Sequence, residues 1–277
     1  MKMNGVLPEH RYADCANGYR MHYIDQGEGP VVVWLHGSGP GASGHSNFKG
    51  NYPAIAEQGF RSIVIDIVGF GFSDKPDDVE YPLSFFVECA RQTLAVIGVE
   101  RCTVVGNSLG GAIAIGMALE HPELVEKLIL MAPGGLSPMS EYGQMPGMQK
   151  MFQVYGSGEP VTPAIMKDLF AFGLMHSPRH ATDELVAERM QVMQLMNGQV
   201  MSAMQIPVLV ERLAELQCPV LGFWGTNERM MPDSGIMNFA KNCPQLRLLL
   251  VSECGHWVMV EHQQMFNRMC VDFLRNG

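Results

Sequence analysis

Continuous apolar runs recur along the chain: Val31–Leu35, Ser62–Ile65, Cys102–Val105, Lys127–Met131, Pro219–Trp224 and Leu246–Val251. Runs this short, without polar alternation, suit strands buried on both faces of a parallel sheet. Residues 19–26, Tyr19 to Gln26, suit an opening antiparallel strand that ends in the turn Gly27–Pro30. Helical spacing fills the intervals, in a segment reaching about Gln58 and over 82–97, 108–120 and 233–241. A last amphipathic helix is expected from about Val258 to Leu274. Strands alternating with helices predict an α/β class, with a mostly parallel central sheet and helices on both faces. Ligands of such sheets bind beyond the carboxyl ends of the strands.

The alternation stops over residues 135–205, a helix-like stretch interrupted by Pro and Gly that holds half of the 22 methionines. The chain therefore reads as a core of residues 1–134 and 206–277, with a helical lid subdomain of 135–205 laid over the ligand edge. At 277 residues and 47% hydrophobic, it is large enough for one sizeable core. Net charge is −9 with no Lys/Arg block, which argues against a nucleic-acid partner. The seven cysteines, Cys15, Cys89, Cys102, Cys218, Cys243, Cys254 and Cys270, are odd in number and lack Cys-x-x-Cys spacing. They read as buried thiols of a reducing, cytoplasmic compartment, with no disulfide frame and no metal site. Met1–Gly5 lack an apolar run, so no secretory leader is expected, and no apolar stretch is long enough to span a membrane.

Gly106-Asn107-Ser108-Leu109-Gly110-Gly111 falls where the Cys102 strand turns into the 108–120 helix. Gly-x-Ser-x-Gly at a strand-to-helix switch is the signature of a nucleophile elbow. Its glycines fit where a Cβ would clash, and the serine is lifted out before a helix N-terminus. The rival is an ordinary glycine-rich turn. A serine nucleophile needs a base, and His256 sits on the loop between the last strand and the last helix. A carboxylate must orient that base. The loop after Trp224 offers Glu228, with Asp233 as competitor, although Asp233 follows Pro232 and resembles a helix N-cap. The order Ser, Glu, His agrees with the elbow class. Two backbone N–H groups should form an oxyanion hole, from Leu109 and from Ser38 in the loop His36–Gly41.

Four separated motifs resemble the meta-cleavage product hydrolases, carbon–carbon bond hydrolases of the α/β-hydrolase fold. They are His36-Gly37-Ser38-Gly39-Pro40-Gly41-Ala42, Ser46-Asn47-Phe48, Gly106-Asn107-Ser108-Leu109-Gly110-Gly111 and Cys254-Gly255-His256-Trp257. Met131–Leu136 is similar to the family's lid entrance. The resemblance implies a serine-dependent hydrolase for a 2-hydroxy-6-oxo-hexa-2,4-dienoate made during aromatic degradation. Its products would be 2-hydroxypenta-2,4-dienoate and a second carboxylic acid, formed without a cofactor. It also implies a cation for the substrate carboxylate. Arg189 matches the family's lid arginine, and Arg179 is the runner-up. Asn47, Asn107, Gly37 and Trp257 match positions around the dienoate. The chain departs from the family pattern at Glu228, where Asp is usual, at His45, where Trp is common, and in its methionine-rich lid.

Rival readings on the same scaffold are a carboxylesterase or lactonase, a cofactor-free haloperoxidase-like hydrolase, and a non-catalytic ligand receptor. The expected partner is a small aromatic-derived keto acid, with no nucleic acid and no membrane. The residues leave open the substrate tail and whether the chain forms a homo-oligomer.

Overall fold

In the computed structural model, which describes residues 9–277, the apolar runs become strands of one sheet, all inner but the last, which lies at an edge and is only partly buried. They are β3 (Val31–Leu35), β4 (Arg61–Ile65), β6 (Cys102–Asn107), β7 (Val125–Met131), β9 (Val220–Gly225) and β10 (Leu246–Val251), all paired in parallel. β1 (Arg11–Asp14) and β2 (Arg20–Gln26) add an antiparallel edge, giving the order β1-β2-β4-β3-β6-β7-β9-β10. β1 escapes the hydrophobic pattern because only Ala13 of its residues is buried. The leader-free reading of Met1–Gly5 lies outside the described residues. Among them, no helix is long and apolar enough to cross a membrane.

The predicted helix reaching Gln58 is two short ones, α1 (Gly44–Phe48) and α2 (Tyr52–Ala56), separated at Lys49–Asn51 ahead of Pro53. α3 (Leu83–Val96) and α4 (Leu109–Glu120) agree with expectation. Almost all of α4 is buried. An all-round buried helix must be apolar on every face and small where it crosses the sheet. At Gly111 an added Cβ would lie 2.6 Å from Pro133.

Residues 135–205 contribute no strand to the large sheet. They hold α5 (Met139–Tyr142), α6 (Pro146–Gly156), α7 (Pro163–Leu169), α8 (Asp183–Met193) and α9 (Gln199–Ala203). β8 (Met204–Gln205) then pairs in parallel with β5 (Tyr81–Pro82), a link too short to show in any pattern. α10 (Ser234–Asn242) starts after Asp233, which occupies the N-cap position but accepts no capping bond. The final helix is broken at His262 (φ −120°, ψ 42°) into α11 (Val258–Glu261) and α12 (Gln263–Asn276).

A buried polar network braces the loops at the strand ends. His22 Nδ1 lies 2.8 Å from Asp66 Oδ2, and Asp66 also accepts from the backbone N–H groups of Gly44 and Phe72. Burial opposes the Asp66 charge, yet His22, His36 and the Phe72 N–H hold its pKa down at about 2. His36 Nε2 accepts from the Ile67 N–H at 3.0 Å, and its Nδ1–H donates to the Gly37 carbonyl at 2.8 Å. Both ring nitrogens are thereby used by a neutral imidazole. Burial pushes the His36 pKa down to about 4, against the usual 6.5.

Between those two values the unfolded chain binds more protons at this histidine than the folded one. Stability from His36 is therefore full above about pH 6.5 and falls as pH drops towards 4. The expected loss between pH 7 and pH 5 is about 2 kcal/mol from this residue. Urea unfolding at the two pH values checks this, and His36→Gln should show a shallower pH dependence than the wild type.

Candidate active site

β6 ends directly beneath the elbow. Ser108 has φ 55° and ψ −116°, a conformation that costs about 1–3 kcal/mol for a residue with a side chain. Its surroundings over-determine it. The Ser108 N–H donates to the Met131 carbonyl, and the Ser108 carbonyl accepts from the N–H groups of Gly111, Ala112 and Gly134. A Cβ on Gly106 would lie 2.4 Å from the Gly110 carbonyl oxygen, and one on Gly110 would lie 2.0 Å from that of Leu35. The bend therefore excludes side chains on both flanks, as the motif requires. Leu109 opens α4, so its N–H is among those left free at the helix start.

His256 and Glu228 are buried on the loops after β10 and β9. His256 Nδ1 lies 2.7 Å from Glu228 Oε2. The other carboxylate oxygen accepts from the backbone N–H groups of Arg229 (2.8 Å), Met230 (2.7 Å) and Met231 (3.3 Å). A Glu serves here because the loop turns its own amides onto Oε1 and leaves Oε2 for the imidazole. With Nδ1–H donating to the acid, Nε2 is left to accept a proton. Arg229 does not pair with Glu228 through its side chain. Its guanidinium donates to the Phe172 carbonyl and lies over the Phe172 ring. Glu228→Asp shortens the reach by one methylene and should lower kcat about 10–100-fold with little change in KM. Steady-state kinetics check this.

Ser108, His256, Ser38, Leu109, Gly37, Asn47, Asn107 and Trp257 all line one cavity of about 110 Å³. A smaller chamber of about 30 Å³ adjoins it and shares Ser38, Met151, Leu174 and Met230 with it. The smaller chamber holds Arg189, supplied by α8 and only 2% exposed. Its guanidinium donates to Asn47 Oδ1 at 2.7 Å and to the Pro40 carbonyl at 3.3 Å. It lies over the rings of Trp257 and Phe170, and its Nε has no partner. Burial pushes its pKa down to about 10. Arg179 lines neither chamber.

Asn47 passes the connection on. Its Nδ2 donates to Asn107 Oδ1 at 3.2 Å, and Asn107 Nδ2 donates to the Met131 carbonyl at 3.2 Å. A polar chain thus runs from the guanidinium to the residue before Ser108, with every amide orientation fixed by its neighbour. At Gly41 (φ 60°) a Cβ would lie 1.9 Å from the Arg189 carbonyl oxygen, so the Ser38 loop packs against the α8 backbone.

Residues 30–263 match the alpha/beta hydrolase fold family. The chain is 35% identical over 271 residues to a 2-hydroxy-6-oxononadienedioate/2-hydroxy-6-oxononatrienedioate hydrolase of Comamonas testosteroni, covering 94% of this chain and 93% of that one. It is 34% identical over 271 residues to a 2-hydroxy-6-oxo-6-phenylhexa-2,4-dienoate hydrolase of Burkholderia cepacia, with the same coverage. Among solved structures, the meta-cleavage product hydrolase CumD of Pseudomonas fluorescens IP01, complexed with acetates, superposes with a TM-score of 0.84 at 27% identity. That match covers 96% of this chain and 97% of the other. The chain belongs to the meta-cleavage product hydrolases of the α/β-hydrolase fold. It is accordingly a hydrolase of carbon–carbon bonds.

Several residues of this hydrolase's site escape sequence reasoning. Glu261 is buried, and its carboxylate accepts from the N–H groups of Gly255 (2.7 Å), His176 (3.0 Å) and Ser177 (2.8 Å). It ties the His256 loop to the 135–205 segment. The only hint of this in the chain is an acid at the end of an apolar helical turn. Met230 and Met231 line the larger cavity beside the acid, where a loop with no periodicity gives no sign of facing inward.

Proposed function

We propose that this hydrolase cleaves the C5–C6 bond of a 2-hydroxy-6-oxo-hexa-2,4-dienoate-type acid, with Ser108 as nucleophile, His256 as base and Glu228 as its orienting acid. The observation that carries this reading is Arg189. It is a buried guanidinium with an unpartnered N–H and no salt bridge among the described residues, one chamber away from the serine. A buried cation without an anion calls for an anionic ligand, and a planar guanidinium suits a carboxylate.

The dienoate carboxylate docks on Arg189, with Asn47, Asn107, Gly37 and Trp257 around the dienoate. His256 and Ser108 help shift a proton so that the 2-hydroxy diene becomes its 2-keto form. Ser108 Oγ, deprotonated by His256 Nε2, then attacks C6. The oxyanion is met by the N–H groups of Ser38 and Leu109. On collapse the C5–C6 bond breaks, its electron pair passes from C5 through the C3–C4 double bond to the C2 keto oxygen, and that oxygen takes the proton from His256 to give 2-hydroxypenta-2,4-dienoate. Water, deprotonated by the same histidine, cleaves the Ser108 ester and leaves as the hydroxyl of the second acid. Residues 135–205 serve as the lid over this site. The acidic net charge and buried free thiols support a small-molecule enzyme of a reducing cytoplasm that has no nucleic-acid partner.

A spectrophotometric screen tests the reading. Yellow meta-cleavage products with alkyl, phenyl and fused-ring tails are mixed with the protein, and the released acids are identified by chromatography. Loss of colour with equimolar acid is expected. Persistent colour with all of them would overturn the assignment.

A further inference from the structure

We propose that the substrate's tail beyond C6 is bulky, apolar and uncharged, so the enzyme discriminates against substrates that end in a second carboxylate. The inference rests on the reading above and names the substrate class of the same site. Among the described residues, no Lys, Arg, Asp or Glu lines the cavity that holds Ser108. Its wall carries six methionines: Met139, Met148, Met204 and Met231, with Met151 and Met230 where it adjoins the Arg189 chamber. Thioether side chains are apolar, polarisable and free in three torsions, so such a wall reshapes around rings or branched chains of different width.

The polar side chains in this wall are neutral. Tyr142 Oη accepts from the Gly135 N–H at 3.2 Å, and burial raises its pKa. Ser137 Oγ lies 2.8 Å from Ser234 Oγ, which in turn donates to the Glu141 carboxylate. The charge behind the wall is therefore negative. Nearby cations point elsewhere: Arg229 to the Phe172 carbonyl, and Lys150 to Asp168 and the Phe172 ring. Among the described residues, Arg189 is the one guanidinium lining either chamber. It can hold one carboxylate, and a second would be buried unpaired near Glu141. An unpaired buried charge is strongly unfavourable.

The test compares kcat/KM for 2-hydroxy-6-oxo-6-phenylhexa-2,4-dienoate and 2-hydroxy-6-oxononadienedioate, in wild type and in Ile206→Arg. Ile206 lines the cavity and is partly exposed, so a guanidinium can be placed there. The wild type should favour the phenyl substrate by at least about 100-fold. Ile206→Arg should shift that ratio about tenfold or more towards the dicarboxylate. Met204→Arg, from the same partly exposed rim, serves if the first variant does not fold. Wild-type preferences within tenfold of each other would overturn the inference and leave the proposed function standing. A cationic variant that lowers both substrates equally would also overturn it. No turnover of either substrate by the wild type would remove the proposed function, and this inference with it.

Discussion

Ser108→Ala is expected to lower kcat on a meta-cleavage product by about 10⁴–10⁶-fold, with substrate binding changed only a few-fold. In the proposed scheme the serine contributes only the attacking oxygen, and its loss leaves Arg189, the amide chain and the cavity walls in place. Stability should move in the opposite direction. Ser108 is held at φ 55° by four backbone hydrogen bonds, a conformation that suits glycine better than any residue with a Cβ. Ser108→Gly should therefore be as inactive as the alanine variant, yet more stable than the wild type by about 1 kcal/mol. Kinetics and urea unfolding on the same preparations check both halves. A glycine variant less stable than wild type would mean that the elbow stores no strain.

Arg189→Met is expected to reduce kcat/KM on the keto acid by about 10²–10³-fold or more, while hydrolysis of a small neutral ester changes less than about threefold. The same substitution should leave the free enzyme at least as stable as the wild type. The guanidinium is fully buried, desolvation already lowers its pKa to about 10, and among the described residues no carboxylate forms a salt bridge with it, Glu188 and Asp66 acting only at longer range. Replacing an uncompensated buried charge with an apolar side chain of similar length is commonly neutral or stabilising. A loss that fell equally on acid and ester would make Arg189 a structural residue of the α8 contact with the Ser38 loop. Its bonds to Asn47 and Pro40 give that alternative a physical basis, and Arg189→Gln, which keeps a donor for Asn47, separates the two.

The core of this site was legible because its physics is local. Gly106 and Gly110 are needed within one turn of the elbow, and apolar runs mark β3, β6, β9 and β10 whatever packs on them. The loops carrying Ser38, Ser108, Glu228 and His256 follow from the ends of those runs. In the chain, Asp233 is set apart from Glu228 by following Pro232 and resembling a helix N-cap. The turned amides of Arg229, Met230 and Met231 that make a Glu serviceable there were not visible in the chain. Residues whose role depends on distant partners stayed hidden. Glu261 acts only through its contact with His176 and Ser177, and Met148 or Met204 through a wall assembled from separate elements. The breaks at Lys49–Asn51 and His262 were also missed. At Lys49–Asn51 the local breaker Gly50-Asn51 ahead of Pro53 overrides the apolar spacing of Phe48, Tyr52 and Ile55, whereas at His262 the apolar spacing continues and no such breaker marks the end.

Two adjoining chambers of different chemistry make up the site, one holding Arg189 and one holding Ser108 among methionines. The most direct measurement is the crystal structure of Ser108→Ala with an intact phenyl-tailed meta-cleavage product. The predicted electron density has the carboxylate against Arg189, C6 within reach of the Ser38 and Leu109 N–H groups, and the ring among the methionines. A substrate bound the other way round, with its carboxylate among the methionines and its ring against Arg189, would contradict the account.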